Sequence, residues 1–366
     1  MLLTVLFYVF VAVTGIQIIY YLLFSSILVK NKEEVITSNE YPISVIVYNK
    51  NSGDSLRNNL PNLLNQKYSK FEILIVDSST DDNDLGELIL DFVEKHNNLK
   101  IIKVENNEAF WGNKKYALTL GIKAAKYDHL LFTDAKTKVL STDWINSMSS
   151  NFTKTKTINL GYRKFSKSNS FLNLLARFEN LVTAIQCFSF LKIKSPFMAF
   201  GDNLAYNRQE FFNVKGFIYH IKVTNGEDDL FIRDAATKEN ITYTLDANSF
   251  VENKAPESLL SWLSSLKSNK LLQRHYKFKQ RLLLNLFSLT KILFYVFGTI
   301  SFFFFSWQII LPIVLSYFLI QFIVVGLSAK KLQEPYVIFY LPILEISLVL
   351  IQISIFIANS FSKTNR

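Results

Sequence analysis

Charge is absent from Met1 to Val29, dense from Lys30 to Arg281 and sparse again from Leu282 onward. This distribution constrains the fold more than any motif, because it sets a polar middle between two apolar ends. At about 1.5 Å per residue, Met1–Val29 is long enough as a helix to cross a hydrocarbon core of roughly 30 Å. It lacks the basic leader and small-residue cleavage site of a secretory signal, so it reads as a retained transmembrane helix. Leu282–Phe305, Trp307–Leu327 and Val337–Ala358 read as three further spans. Pro312 and Pro342 stand near helix starts, where a missing N–H costs least. The near contiguity of the first two spans implies a tight helical hairpin. The 33 Phe and 17 Tyr among 366 residues suit lipid contact better than a soluble surface.

The expected organisation is an N-terminal transmembrane helix over 1–29, a middle domain over 30–281 ending in a basic juxtamembrane segment, three C-terminal transmembrane helices over 282–360, and a tail over 361–366. Basic residues orient it. Lys30 and Lys32, then Arg274, Lys277, Lys279 and Arg281, then Lys330 and Lys331 all flank spans on one side, which places the middle domain in the cytoplasm. Lys363 and Arg366 fall on the other side under this scheme, so the parity of the last helix is the weakest part of the topology. The expected location is a membrane, of the bacterial inner-membrane kind. A net charge of +10 suits anionic lipid and a phosphate-bearing substrate. No zinc-finger spacing, basic helix or stacking-aromatic motif points to nucleic acid. The single cysteine, Cys187, excludes an internal disulfide and a cysteine-built metal site, and four histidines without a paired helical spacing exclude a histidine-built one.

From Pro42 onward short β-branched runs alternate with helical stretches, the pattern of a parallel sheet covered by helices. Ile43–Val47, Phe71–Val76, Ile101–Val104 and His129–Phe132 read as strands. Leu56–Leu64, Leu85–His96 and Asn113–Lys126 read as the intervening helices. Asp77 and Asp134 then follow the second and fourth strands, at the carboxyl edge where open α/β sheets bind ligands. A strand-end aspartate is also a common turn or cap residue, and that reading stays open for each.

These pieces resemble the inverting glycosyltransferase family 2, with its GT-A fold. PISVIVYNKNSGDSLRNNLPNLLNQKY and FEILIVDSSTDD resemble the family's opening strand, helix and uridine-binding acidic loop. WGNKKYALTLGIKAA resembles its Gly-Lys-Lys-Ala-Leu helix, LLFTDAKTKVLSTDWI its Asp-x-Asp region, FGDNLAYNRQEFFNVKGF its acceptor-side loop, and NGEDDLFI its Glu-Asp motif. They keep the family's order across roughly Pro42 to Ala236.

The resemblance implies a GT-A cytoplasmic domain with about four transmembrane helices. It implies transfer of a sugar, with inversion, from a nucleotide sugar of the UDP-linked kind to a lipid, lipid-linked or polysaccharide acceptor. Asp228 is then the general base, with Asp229 the alternative and Glu227 in the same motif. Asp77 binds the uridine side of the donor, and Asp134 reaches a metal or the donor ribose. Lys114 and Lys115 open a helix toward the diphosphate, or else form a solvated helix face. Asn203 and Arg208 line the acceptor side, or else close a turn and pair with neighbouring acids.

Three departures matter. Lys136 stands where the family places the second acid of its metal-binding pair, so dependence on Mg2+ or Mn2+ is in question, and the Lys136 ammonium is an alternative neutraliser of the diphosphate. Asp143 reads as a helix start in preference to a replacement acid. Gln273 and Arg274 offer only a compressed form of the family's Gln-x-x-Arg-Trp motif, and a basic stretch on anionic head groups is the competing reading. Glu345, an acid at membrane depth, either touches a polar lipid or polymer path or makes a protonated helix-to-helix contact. A non-catalytic nucleotide-sugar-binding or scaffolding partner in envelope glycan assembly is the alternative function. No G-x-G-x-x-G follows the first strand, which argues against a dinucleotide-binding oxidoreductase.

Overall fold

A computed structural model describes residues 2–29, 41–80, 86–105 and 114–361. Lys30, Lys32, Lys363 and Arg366 lie outside the described residues, as do the first residue of the expected Leu85–His96 helix and Trp111, Gly112 and Asn113. The chain forms two compact units. One comprises residues 31–166 and 194–255; the other comprises 1–30, 167–193 and 256–366. Residues 167–193 and 256–281, expected within the middle domain, group with the long apolar helices instead.

Among the described residues the first unit has ten strands: β1 (Ile43–Asn49), β2 (Phe71–Asp77), β3 (Leu99–Lys103), β4 (His129–Asp134), β5 (Lys138–Val139), β6 (Ile158–Leu160), β7 (Arg163–Phe165), β8 (Leu204–Asn207), β9 (Ile241–Tyr243) and β10 (Val251–Asn253). Seven form one sheet in the order β3-β2-β1-β4-β8-β6-β9, and β5-β10-β7 form a small second sheet. The pairings β3-β2, β2-β1 and β1-β4 are parallel. β8 runs antiparallel to both β4 and β6. The sheet is thus mixed and mostly parallel, as the strand–helix alternation predicts.

The central strands are apolar on both faces because helices cover both. Val45, Val47, Ile73, Ile75 and Leu131 pack with Leu56, Leu60 and Leu63 of the helix Gly53–Leu64 and with Trp144. The helix Lys114–Ala124 lies so close to the sheet that a Cβ on Gly121 would stand 2.7 Å from the Val76 side chain. Fully burying each such aliphatic side chain contributes about 1.5–3 kcal/mol. One buried polar group belongs to the frame: Ser44 donates to Glu72, which also accepts from the Lys126 N–H. The strand ends are therefore held by a rigid, closely packed layer.

Among the described residues of the second unit five helical segments are long and apolar enough to cross a membrane: Leu3–Leu28, Phe171–Lys192, Phe278–Phe304, Trp307–Lys331 and Pro335–Ile357. Four correspond to the expected spans. Phe171–Lys192 is the addition. Its charges hid it, and one of them, Arg177, is buried against Glu334. Glu345 meets the Lys291 ammonium at 2.9 Å, the Tyr317 hydroxyl at 2.9 Å, the Tyr21 hydroxyl at 3.2 Å and the Gln321 amide. Glu345 thus makes the expected helix-to-helix contact, but as an ion pair with Lys291 and not as a protonated acid. Large apolar side chains such as Phe303, Leu319 and Phe356 face outward, as the lipid-facing sides of spans do.

Candidate active site

The parallel register sets the candidate site. Asn49 lies opposite Asp77, and Tyr48 lies opposite Asp134. With neighbouring strands about 4.8 Å apart, the ends of β2, β1 and β4 present Asp77, Tyr48 and Asp134 along one edge within about 10 Å. Asp77 is buried, and its carboxylate accepts from the Asn49 amide at 2.9 Å, the Ser79 hydroxyl at 2.6 Å and the Ser79 N–H at 3.2 Å. These bonds fix the carboxylate at the strand end.

Lys114 draws the rest together. Its ammonium contacts Asp134 at 3.0 Å and Glu227 at 2.9 Å and stands 5.1 Å from the centre of the Tyr48 ring. Burial works against that charge, yet Asp134 and Glu227 outweigh it and hold the Lys114 pKa well above the ordinary lysine value. Burial raises the Asp134 carboxyl above its usual range, Lys114 pulls it back, and the nearby charge of Asp202 pushes it up again. Glu227 stays below the usual range despite burial, because Lys114 stabilises its charge.

Lys115 departs from expectation. It is buried, and its ammonium donates to the backbone carbonyls of Val223 and of Asn225, the latter at 2.9 Å. Burial lowers its pKa. Consecutive helical residues diverge by about 100°, so only one of the two lysines can reach the strand ends. Lys115 instead grips the loop before the helix Glu227–Ala235. That helix starts after Gly226, whose left-handed φ of +81° is open to glycine at little cost. Three consecutive acids, Glu227, Asp228 and Asp229, then occupy its first turn, where the helix dipole favours negative charge.

Asp228 is held from two sides. The Gly201 N–H donates to one carboxylate oxygen and the Asp229 N–H to the other, each at 2.9 Å. A Cβ on Gly201 would lie 2.8 Å from an Asp228 oxygen, so the chain approaches as closely as glycine allows. Burial, and then the charge of Glu227, push the Asp228 carboxyl up to about 7. Asp229 is buried, and its carboxylate accepts from the Ala199 N–H at 3.3 Å, fastening the 199–201 loop to the helix. Asp77, Lys114, Asp134, Glu227 and Asp228 thus belong to one unit, and four of them form a continuous charged cluster.

The expected acceptor residues lie elsewhere. Asn203 is fully buried: its oxygen accepts from the Trp144 indole at 3.0 Å, and its amide donates to the carbonyls of Tyr162 at 2.9 Å and Ser249 at 2.8 Å. It is a satisfied core amide. Arg208 pairs with Asp128 and donates to the Ala125 carbonyl at 2.7 Å. Because β8 is antiparallel to β4, Asn207 lies opposite His129, so Arg208 follows at the amino edge, away from Asp134. Gln273 and Arg274 fall in the helical unit. Gln273 accepts from Lys270 at 3.0 Å, and the Arg274 side chain is exposed. Lys136 is exposed on a turn closed by the Thr137 N–H on the Asp134 carbonyl at 2.9 Å.

Two residues were not anticipated. Tyr48, the last residue but one of β1, lies opposite Asp134, and this place at the strand end was the signal available. Asp202 had no such signal. It accepts from the Asn253 amide at 2.6 Å and stands 3.6 Å from the Arg163 guanidinium.

Among the described residues no group of three or more His, Cys, Asp or Glu is placed to hold a metal ion. Asp134 is engaged by an ammonium, and the position two residues on is Lys136. At this position the chain thus offers a divalent ion on a diphosphate one carboxylate, already paired with Lys114, where such ions take one or two beside the phosphate oxygens.

Residues 44–225 match the family description "Glycosyl transferase family 2", so the chain carries a family 2 glycosyltransferase domain. It is similar to the poly-beta-1,6-N-acetyl-D-glucosamine synthase of Staphylococcus epidermidis, at 30% identity over 114 residues, 31% of this chain and 25% of the relative. A Staphylococcus aureus protein of the same name is 35% identical over 89 residues, 24% of this chain and 20% of the relative. The matched stretches thus span a quarter or less of these relatives' length. Among solved structures, a mannosyltransferase from Pyrobaculum calidifontis in complex with GDP-Man and Mn2+ superposes with a TM-score of 0.60 at 17% identity, covering 96% of this chain and 99% of that one. The fold is GT-A, accompanied by long apolar helices.

Proposed function

We propose that this chain is a membrane-bound inverting glycosyltransferase. It passes a sugar from a nucleotide-sugar donor, of the UDP-linked kind, to the hydroxyl of a lipid, lipid-linked or polysaccharide acceptor. The observation that carries the reading is Asp228: a buried carboxyl brought to about 7, held by the Gly201 N–H, in the same cluster as a lysine suited to a leaving diphosphate. In the reaction the acceptor oxygen attacks the anomeric carbon and forms the new C–O bond. Asp228 takes the hydroxyl proton. The bond from the anomeric carbon to the diphosphate oxygen breaks, and the diphosphate leaves with the electron pair. Attack opposite the leaving group inverts the configuration. A base whose pKa lies near operating pH is the most effective acceptor of that proton. A fixed ammonium stabilises the charge growing on the diphosphate without reorganising.

Asp77, at the end of β2, is assigned to the nucleoside side of the donor, and Tyr48 to the same end. The names of the staphylococcal relatives support an N-acetylglucosamine donor and a glycan product. The five apolar helices and their outward-facing side chains support residence in a bilayer, where lipid-linked acceptors are concentrated. The test is incubation of membranes carrying the chain with a panel of radiolabelled nucleotide sugars, followed by organic extraction. Label from one donor passing into the lipid or polymer fraction, and lost in Asp228→Asn, is the expected result. A chain that transfers no label from any donor, yet binds nucleotide sugar, is a non-catalytic partner.

A further inference from the structure

The lysine cluster bears on how a donor diphosphate is neutralised. Lys114 is fixed by two carboxylates from two elements, Asp134 at the end of β4 at 3.0 Å and Glu227 at the head of its helix at 2.9 Å. Its neighbour Lys115 ties their shared helix to the loop before Glu227 through the carbonyls of Val223 and Asn225, so the ammonium of Lys114 is placed by the fold as well as by its partners. Lys136 rides the turn that Asp134 begins. It is exposed and has no hydrogen bond or ion pair among the described residues. A divalent ion bound to Asp134 would be crowded by the ammonium already on that carboxylate, with a second ammonium two residues away. An ammonium 3.0 Å from the carboxylate opposes a second cation there.

We infer that the ammonium of Lys114, supported by Lys136, does the work of a divalent cation at the donor diphosphate, so that this chain binds its nucleotide without metal. This rests on the glycosyltransferase reading. Lys114 gives one carboxylate contact over to a phosphate oxygen when the donor arrives, and the flexible stem of Lys136 brings a second positive charge to the outer oxygens. A lysine suits this role because its ammonium is a compact point charge with three donors, enough to keep a carboxylate while meeting a phosphate. Glu227 then serves as a positioning residue that holds Lys114 against Asp134 and so leaves Asp228 as the free carboxylate for the proton.

The test is equilibrium binding of UDP and of GDP to the purified full chain, in excess EDTA and again with Mn2+ or Mg2+. Wild type is expected to bind one of them with affinities that differ less than threefold between the buffers. Lys114→Met should weaken binding in EDTA at least tenfold, and Lys114→Met combined with Lys136→Asp should bind more tightly with Mn2+ than with EDTA. Wild-type binding that falls tenfold or more in EDTA and returns with Mn2+ overturns the inference while leaving the glycosyltransferase reading intact. Binding of neither nucleotide in either buffer overturns both. The wild-type comparison decides the matter even if the Lys114 variants fail to fold.

Discussion

Replacing Asp228 with asparagine keeps the size of the side chain and removes its ability to take a proton. Positioned general bases contribute about 10²–10⁴ in rate, which corresponds to about 3–5 kcal/mol of barrier at 1.36 kcal/mol per tenfold. The expected result is a fall in kcat of that size with donor affinity changed less than threefold. Two further consequences follow from the geometry. Asp228 accepts the Gly201 N–H on one oxygen and the Asp229 N–H on the other, and asparagine has only one accepting oxygen. One N–H therefore faces an amide NH2, at a cost of about 1–3 kcal/mol in stability, visible as a lower Tm. Activity of the wild type should rise with pH through a midpoint of about 7, because burial and Glu227 place the carboxyl there and only its ionised form accepts the proton. The assay is steady-state release of nucleoside diphosphate between pH 5.5 and 8.5, with donor binding measured separately. An asparagine variant that keeps more than about a tenth of kcat, or that loses affinity in proportion to rate, refutes the assignment of the base.

Gly201→Ala should lower kcat with little change in KM, since its Cβ would meet an Asp228 oxygen at 2.8 Å and displace it; an unchanged kcat would show that the close approach is not needed. Gly121→Ala should destabilise the first unit by about 1–3 kcal/mol through the 2.7 Å contact with Val76, measured by thermal unfolding, and an unchanged unfolding temperature would contradict it. Lys291→Met leaves the buried Glu345 charge without its ion-pair partner and should cost about 3–5 kcal/mol, much of it recovered in the double variant with Glu345→Gln. A double variant no more stable than Lys291→Met, in detergent unfolding, would count against a paired charge there.

The parallel strands were legible because apolar, β-branched runs leave few alternatives, and the carboxylates at their ends stood out for the same reason. What pairing decides could not be read. Arg208 was assigned to the acceptor side because it follows a motif in chain order, but chain order does not reveal that β8 runs against β4 and carries Arg208 to the opposite edge. Asn203 looked like a ligand group until Trp144, on a distant helix, claimed its oxygen. Lys114 and Lys115 were equivalent in sequence, and only the rotation between helical neighbours separates the one that meets Asp134 from the one that secures the 223–225 loop. Phe171–Lys192 was hidden by Arg177, whose charge is matched by Glu334, 157 residues later. Each miss arises from a partner far along the chain, which local pattern cannot supply.

The account stands or falls on where a nucleoside diphosphate binds. A structure of the full chain with its bound nucleotide sugar should place the diphosphate beside Lys114 and Asp134, the nucleobase toward Tyr48 and Asp77, and Asp228 across the anomeric carbon from the phosphate. A nucleotide seated elsewhere, with Lys114 still closed between Asp134 and Glu227, would contradict it.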